Sequence, residues 1–558
     1  MKKKYFAITL LLSVIITGCN KEDIEQIPTE AFSDELFEKY LLKNFDIDND
    51  GQISIAEAKA VKEIDCSDMN IISLKGIHHF TELEKLNCSN NKLRDLDVSK
   101  NTSLKELLCS YSLNSDSLDF SYNAKLEALE CSGNGIKHFN LRNNVHLKKL
   151  DCSDNYEIKN LDLSNNTELK IINCSNLYQL TYLDLSKNKK LEEFYFINTS
   201  GNDQLESLDF NNSSLMTFKL MSAYKLKSIN FSGCNQLVDV YCENTGYVED
   251  NFLNFDGCSS LEYLSIINCS FTSLDIRPCI HLKELRYSGD VDISNNTELE
   301  YVFLNYGSLL APIPNNTKIK ALSFHSIINT DILDLSNQLL LENLRCSDIN
   351  FIDISKNKSL KYVHIGGVGQ EKGLSELYIK DYPDLIEFTV YYTKHLSAFE
   401  LENCPKLKNV SIDRRNWELE EGYYPYLDTL IISNCESLNR IHCDYSLINT
   451  LIINQCPNID SLSCAGNKIT ELYLDDFTKL KYLQCEHNKL SKLDVSKNIE
   501  LEELRCQYSD RIKELDVRNN SKLKILLCEN NKNLEYLYIK KGHKFNNLSY
   551  SGMLVYVD

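Results

Sequence analysis

The sequence predicts a solenoid of parallel β-strands, preceded by a small helical cap. Three observations predict it. Cysteines recur at Cys66, Cys88, Cys109, Cys131, Cys152 and Cys174, with spacings that alternate between 22 and 21 residues. Each ends the same apolar phrase, as in Leu83, Leu86, Cys88 or Leu104, Leu107, Cys109, and an asparagine such as Asn91 follows at a fixed offset. A fixed period of 20 to 30 residues marks stacked units that cannot bury their apolar faces alone. The alternation in each phrase gives a strand with one face turned inward. A chain of 558 residues would otherwise suggest several domains, but a repeat array overrides that prior. The formal charge of −20 argues against a nucleic-acid or anionic-membrane partner, either of which needs a basic patch.

Residues 1–19 read as a targeting segment. Lys2, Lys3 and Lys4 precede an apolar run from Tyr5 to Ile16, too short and wrongly flanked for a membrane span. Ile16, Thr17, Gly18 and Cys19 then resemble the lipobox of bacterial lipoproteins, and the resemblance implies cleavage before Cys19 and lipidation of that residue. Asn20 to Asp23 is similar to the acidic tag that directs some Gram-negative lipoproteins to the cell surface. The implied address is the outer membrane, lipid-anchored and surface-exposed, with the periplasmic face as the alternative. Residues 20–28 are expected to be a tether.

Residues 29–63 are expected to form the helical cap. Phe32, Leu36, Phe37, Tyr40 and Leu41 recur at helical spacing, with Ser33 as the candidate N-cap. The loop that follows resembles the calcium loop of an EF-hand. The resemblance implies side-chain oxygens from Asp46, Asp48 and Asp50, the backbone carbonyl of Gln52, a water-mediated contact from Ser54 and both oxygens of Glu57, with Gly51 at the sharp turn. One Ca2+ is therefore expected. No second loop follows, so its role is expected to be structural, capping an array whose end coil otherwise exposes an apolar edge.

The repeats fill residues 64–540. The pattern Leu83, Leu86, Cys88, Asn91, Leu93 resembles the leucine-rich repeat with cysteine in place of one leucine, the cysteine-ladder form carried by internalin J-like surface proteins of bacteria. The implied fold is a leucine-rich repeat solenoid: a parallel β-strand ladder of about 22 coils, with an extended or 3-10 second edge on the convex side, since too few residues remain for a helix. Phe196, Cys242, Ile266, Tyr287, Leu304, Phe324, Cys346, Ile365, Val390 and Ile412 carry the cysteine position through the degenerate middle, with Phe218 or Leu220 between the first two. Thirteen cysteines take this inward position. Cys234, Cys258, Cys279, Cys404, Cys435 and Cys456 align instead with Asn101, and Cys269 with Asn91. Neighbours on parallel strands are spaced more widely than a disulfide prefers, so reduced, buried thiols are expected. Residues 541–558 are expected to be a C-terminal cap.

Two insertions break the register, a glycine-rich one between Ile365 and Leu374 and a longer one at 413–426. The second carries Arg414, Arg415, Trp417, Tyr423, Tyr424 and Tyr426, and such residues anchor interfaces. The outward strand position holds Tyr195, Tyr241, Arg286, Phe303, Arg345, His364, His442 and Arg505. Of these, Tyr241, Phe303, Arg345 and His364 join the insertion as candidate ligand contacts. Nucleophile elbow, zincin helix, phosphate loop and dinucleotide fingerprint are all missing from the sequence, so no enzyme is expected. The expected function is adhesion: non-catalytic binding of a protein on a host or neighbouring cell through the solenoid face. The alternative is a glycan-binding accessory lipoprotein of a polysaccharide-uptake system.

Overall fold

The computed structural model describes residues 25–557 except 200–203, 247–251, 272–273, 316–317, 326–331, 348–350, 367–375, 392–395 and 414–426. Two compact units divide the chain. The first runs to Leu237 and takes in Tyr241–Asp256 and Cys269–Thr272, while the second holds Val238–Val240, Gly257–Asn268 and everything from Ser273.

The first unit begins with helix α1 (Glu35–Phe45) and helix α2 (Ile55–Ala60). Asp34, not Ser33, caps α1: its Oδ1 accepts from the N–H groups of Leu36 and Phe37 at 2.8 and 3.0 Å. A carboxylate at this end also meets the helix dipole favourably, which a serine does not. Its second oxygen accepts from Ile72 N–H at 2.6 Å, so one buried side chain starts the helix and docks it on the first coil. Tyr40 accepts from the backbone N–H of Asp65, in the first ladder strand, at 3.1 Å, and the Phe45 ring meets Phe80 edge-on at 6.4 Å. These contacts cover the end coil. Within the span expected as a tether, Gln26–Ile27 forms a strand antiparallel to Ile53–Ser54.

From Glu63–Asp65 onward, three-to-five-residue strands stack in parallel and in register. In the first unit Leu86, Leu107, Leu129, Leu150, Ile172, Phe194 and Phe218 form one column. Phe196 pairs with Leu220, which places Leu220 rather than Phe218 at the cysteine position. In the second unit Ile266, Tyr287 and Leu304 are in-register neighbours, as are Phe324, Cys346, Ile365, Val390 and Ile412. The second half of the coil makes short parallel sheets of its own, such as Glu376–Lys380, Ala398–Glu402, Thr429–Ser433 and Thr450–Asn454. The protein is thus a parallel leucine-rich-repeat type solenoid. Residues 541–558 contain two further rungs where only a cap was expected: Asn547–Tyr550 pairs with Ile525–Cys528, and Met553–Val557 with Tyr536–Lys540.

Two columns of polar side chains serve the buried turns. Asn134 makes all four of its hydrogen bonds, accepting from Ser112 and Leu113 N–H at 2.9 and 3.0 Å and donating to the carbonyls of Cys109 and Cys131 at 2.9 and 3.0 Å. Asn155, Asn467 and Asn488 bridge two coils by the same donations. The second column is Asn101, Asn123, Asn144, Asn166 and Asn188, all fully buried. Asn144 donates to Phe120 and Asn123 carbonyls at 3.1 and 3.0 Å, while its Oδ1 has no partner among the described residues. Cys234 does the same work differently: its thiol points to the Phe210 carbonyl at 3.2 Å and leaves no oxygen behind. Gln338 and Tyr382 are further substitutes, donating to Pro314 O at 2.9 Å and Ile354 O at 2.5 Å.

All twenty described cysteines are buried, and none of them is in a disulfide. The ladder thiols of Cys131, Cys152 and Cys174 face the carbonyl of the next coil at 3.5 to 3.7 Å. Burial pushes the Cys109 thiol up to about 12. Outside, Lys and Glu alternate between coils, as in Lys105–Glu84 at 2.6 Å and Lys148–Glu127 at 2.7 Å, and each such exposed pair contributes about 0 to 1 kcal/mol.

Asn134→Ala is expected to destabilise the protein by about 2 to 3 kcal/mol, since it strands two buried carbonyls and two N–H groups; urea denaturation gives the value directly. Cys109 supplies an alkaline test. Its raised folded value means that its contribution is complete below the unfolded thiol's pKa of about 8.5 and is lost as pH climbs toward about 12. The melting advantage of the native chain over Cys109→Ala should therefore shrink steadily above pH 9. An advantage constant to pH 11 would contradict the burial argument.

Candidate functional site

Outward residues of the second unit's ladder form one row across the strands: Ser265, Arg286, Phe303, Ser323, Arg345 and His364 are successive in-register neighbours. A groove of about 580 Å³ opens along this row. Arg286, Phe303, Ser323 and Arg345 line it from the strands, and Tyr306, His325, Ser347 and Tyr391 from the strand ends and turns. Among the described residues no aspartate or glutamate lines it, in a chain with 80 acidic residues.

The groove lies where the solenoid shortens. Asn296 reaches back 17 residues to the Cys279 carbonyl, whereas Asn123 and Asn166 each span 22 to their matching partners. The turns are drawn together as a result, and a Cβ on Gly307 would collide with the carbonyl oxygen of Gly289. Tyr306, at φ 57°, then stands 87% exposed at the groove's edge. At the other end the Tyr391 ring lies where a Cβ on Gly366 would sit, so only glycine fits there.

Within the groove Arg286 donates to Glu284 at 2.6 Å and lies over the Phe303 ring, 4.8 Å from its centroid. Ser347 Oγ and His325 Nδ1 are 2.7 Å apart. Arg345 is exposed and, among the described residues, has no carboxylate partner. Burial lowers His364 below its ordinary value; Glu387 opposes this and the charge of Arg345 adds to it, so the ring is neutral at pH 7. A second groove, of about 720 Å³ on the first unit's other edge, holds Lys137 already bridged to Asp116 and Glu157 at 3.1 and 3.3 Å.

Among the residues singled out from sequence, the structure brings Phe303 and Arg345 into the groove and His364 beside Arg345. Tyr241 belongs to the first unit, where its hydroxyl donates to the Glu243 carboxylate. Arg414, Arg415, Trp417, Tyr423, Tyr424 and Tyr426, like Cys19, lie outside the described residues. Tyr306, His325, Ser347 and Tyr391 were missed. The signal that finds them is the shortened coil between Tyr287 and Leu304, legible as a missing turn of sequence.

The acidic loop after α1 is the other candidate. Carboxylate oxygens of Asp46, Asp48 and Asp50 lie within 4.8 Å of one another, and Gly51 turns the chain at φ 85°. A backbone hydrogen bond from Asp50 lowers Asp48, but desolvation and the charges of Asp50, Glu57 and Asp46 outweigh it and hold the carboxyl above its usual range. Three crowded carboxylates with no lysine or arginine among them fit a hard cation. Glu57 stands outside this cluster. Its oxygens accept from Ile47 N–H at 2.7 Å and from Ser54 N–H at 2.8 Å, and Ser54 Oγ caps α2 in return.

No family model matches the chain, and no curated protein does. Among solved structures it is similar to the functional domain of InlJ from Listeria monocytogenes, which includes a cysteine ladder, at 19% identity over 92% of this chain and 81% of that one, with a TM-score of 0.39. It is also similar to a TDR receptor at 12% identity over 90% and 91% of the two chains, with a TM-score of 0.46. A third is the plant peptide hormone receptor RGFR1 in complex with RGF2, at 14% identity over 90% and 91%, with a TM-score of 0.36.

Proposed function

We propose that this is a non-catalytic surface protein that binds a protein partner through the outward row of its solenoid, held at the outer membrane by a lipid on Cys19. The groove at Arg286, Phe303 and Arg345 carries the reading. A solenoid's inward side chains are committed to its core, so recognition falls to outward rows. Here one row departs from the paired Lys and Glu pattern and presents arginine, aromatic ring and hydroxyl together. Arginine and aromatic residues are the usual anchors of protein interfaces.

Substituting Arg345→Glu together with Phe303→Ala is expected to abolish capture of the partner from outer-membrane or host-cell extracts, without changing the melting temperature. Retained capture would place the site elsewhere. Binding to a neutral glycan array, lost in the same double variant, would favour the polysaccharide-uptake reading instead.

Calcium in the Asp46, Asp48, Asp50 loop is part of the same proposal, as a clamp on the N-terminal cap. When bound, the ion would neutralise the three carboxylates; the backbone carbonyl of Gln52 and the Glu57 carboxylate are the further donors the loop offers. Strand Ile53–Ser54 already pairs with Gln26–Ile27, and the Gln26 amide donates to Asp50 at 2.7 Å, so a stiffened loop would stiffen the cap. Chelation should lower the melting temperature by several degrees, and Asp48→Asn should mimic it. An unchanged melting curve with and without chelator would remove calcium from the picture.

A further inference from the structure

We infer that the groove takes an acidic, extended segment of the partner protein, with Arg345 and Arg286 as two carboxylate anchors. This rests on the binding-face reading above and names its ligand chemistry.

Three features argue for it. Among the described residues the lining carries two guanidinium groups and no acid, on a chain whose net charge is −20; Glu284 pairs with Arg286 from outside the lining, and Arg345 makes the groove a local reversal of the surface field. Arg345 has its whole donor fork available among the described residues, and that fork matches a carboxylate with two parallel hydrogen bonds. Arg286 uses Nε on Glu284 and keeps its terminal nitrogens for a second acceptor. Both charges are permanent, and the neutral His364 beside Arg345 adds none.

Spacing selects the shape of the ligand. Arg286 and Arg345 stand in one row, separated by Phe303 and Ser323 and so by three strand steps. At about 4.8 Å per step that is about 14 Å, the length of about four residues of extended chain. Residues i and i+4 of an extended peptide project to the same side. A segment laid across the strands with acids at i and i+4 meets both arginines, and its central residues lie over Phe303 and Ser323.

The aromatic surfaces argue against a sugar. Stacking on a pyranose needs an open ring face, but on the floor the Phe303 ring is covered by the Arg286 guanidinium and the Tyr391 ring packs on Gly366, which leaves only Tyr306, at the edge, open. What the groove floor offers freely is charge and hydroxyls.

The test uses the full chain and three fluorescein-labelled probes in anisotropy titrations: a Gly-Ser peptide with Glu at i and i+4, the same peptide with Gln at both positions, and an oligogalacturonate as an anionic sugar. The acidic peptide should bind at least tenfold more tightly than the Gln peptide. Arg345→Glu should remove that preference, and Arg345→Lys, which keeps the charge without the fork, should restore only part of it. Equal binding of the two peptides, binding of none of the probes, or Arg345-dependent binding of oligogalacturonate alone would each overturn the inference. If Arg345→Glu abolishes partner capture while the acidic peptide stays unbound, the ligand class falls and the binding face stands. If capture is unaffected, the binding face itself falls.

Discussion

The coils of this solenoid turn their backbone twice, and each turn points carbonyl groups into an apolar core. An unpartnered buried carbonyl costs about 1 to 3 kcal/mol, and an array of coils repeats that cost at each step. The inward amides answer it. Asn134 and Asn155 each bridge two coils through the cysteine carbonyls, so the same side chain that satisfies a turn also fixes the register of its neighbour. In the second column Asn144 satisfies two carbonyls and leaves one oxygen bare. Two good hydrogen bonds outweigh one orphan acceptor. Cysteine at Cys234 and tyrosine at Tyr382 avoid the orphan altogether, which explains why this column tolerates three chemistries.

That constraint also decides where recognition can occur. Inward side chains are committed to filling the core and satisfying the turns, and many outward positions between coils are taken by Lys and Glu pairs that hold each other. A binding surface therefore needs outward positions that neither the core nor these pairs occupy. The shortened coil ending at Leu304 supplies them while its Asn296 bonds and the Glu300–Lys320 pair persist: it pinches the turns at Gly289 and Gly307, exposes Tyr306, and leaves Arg286, Phe303 and Arg345 over a hollow.

The fold was legible because the repeat's rules are local. Leucine spacing and the cysteine position carried the register through stretches where phenylalanine replaces both, since any apolar residue of suitable size satisfies the inward face. The stacked rings of Phe194 and Phe218, 5.4 Å apart, show how the larger residues still form a column. Other features were not legible. Both Ser33 and Asp34 are acceptable N-caps, and only the contact with Ile72 N–H separates them. Asn547–Tyr550 and Met553–Val557 lack the cysteine and asparagine markers, so their pairing is visible only in the structure. For the candidate site, Phe303 and Arg345 were read from the outward position alone. Tyr306, His325 and Ser347 carry no such signal, because this hollow is made by a deletion and not by an insertion.

Net charge and local charge act on different steps of association. An acidic partner approaches a molecule of charge −20 against its field, at distances of several Debye lengths, where salt weakens repulsion. Once seated, its carboxylates sit against Arg345 and Arg286, where salt weakens attraction. Association and dissociation both quicken as ionic strength rises, and the equilibrium shifts less than either rate. A basic partner drawn by the overall charge would show the opposite association trend, slowing as salt screens the attraction. The sign of that kinetic response follows from where the arginines stand, in a hollow on an acidic solenoid, and not from the repeat that carries them.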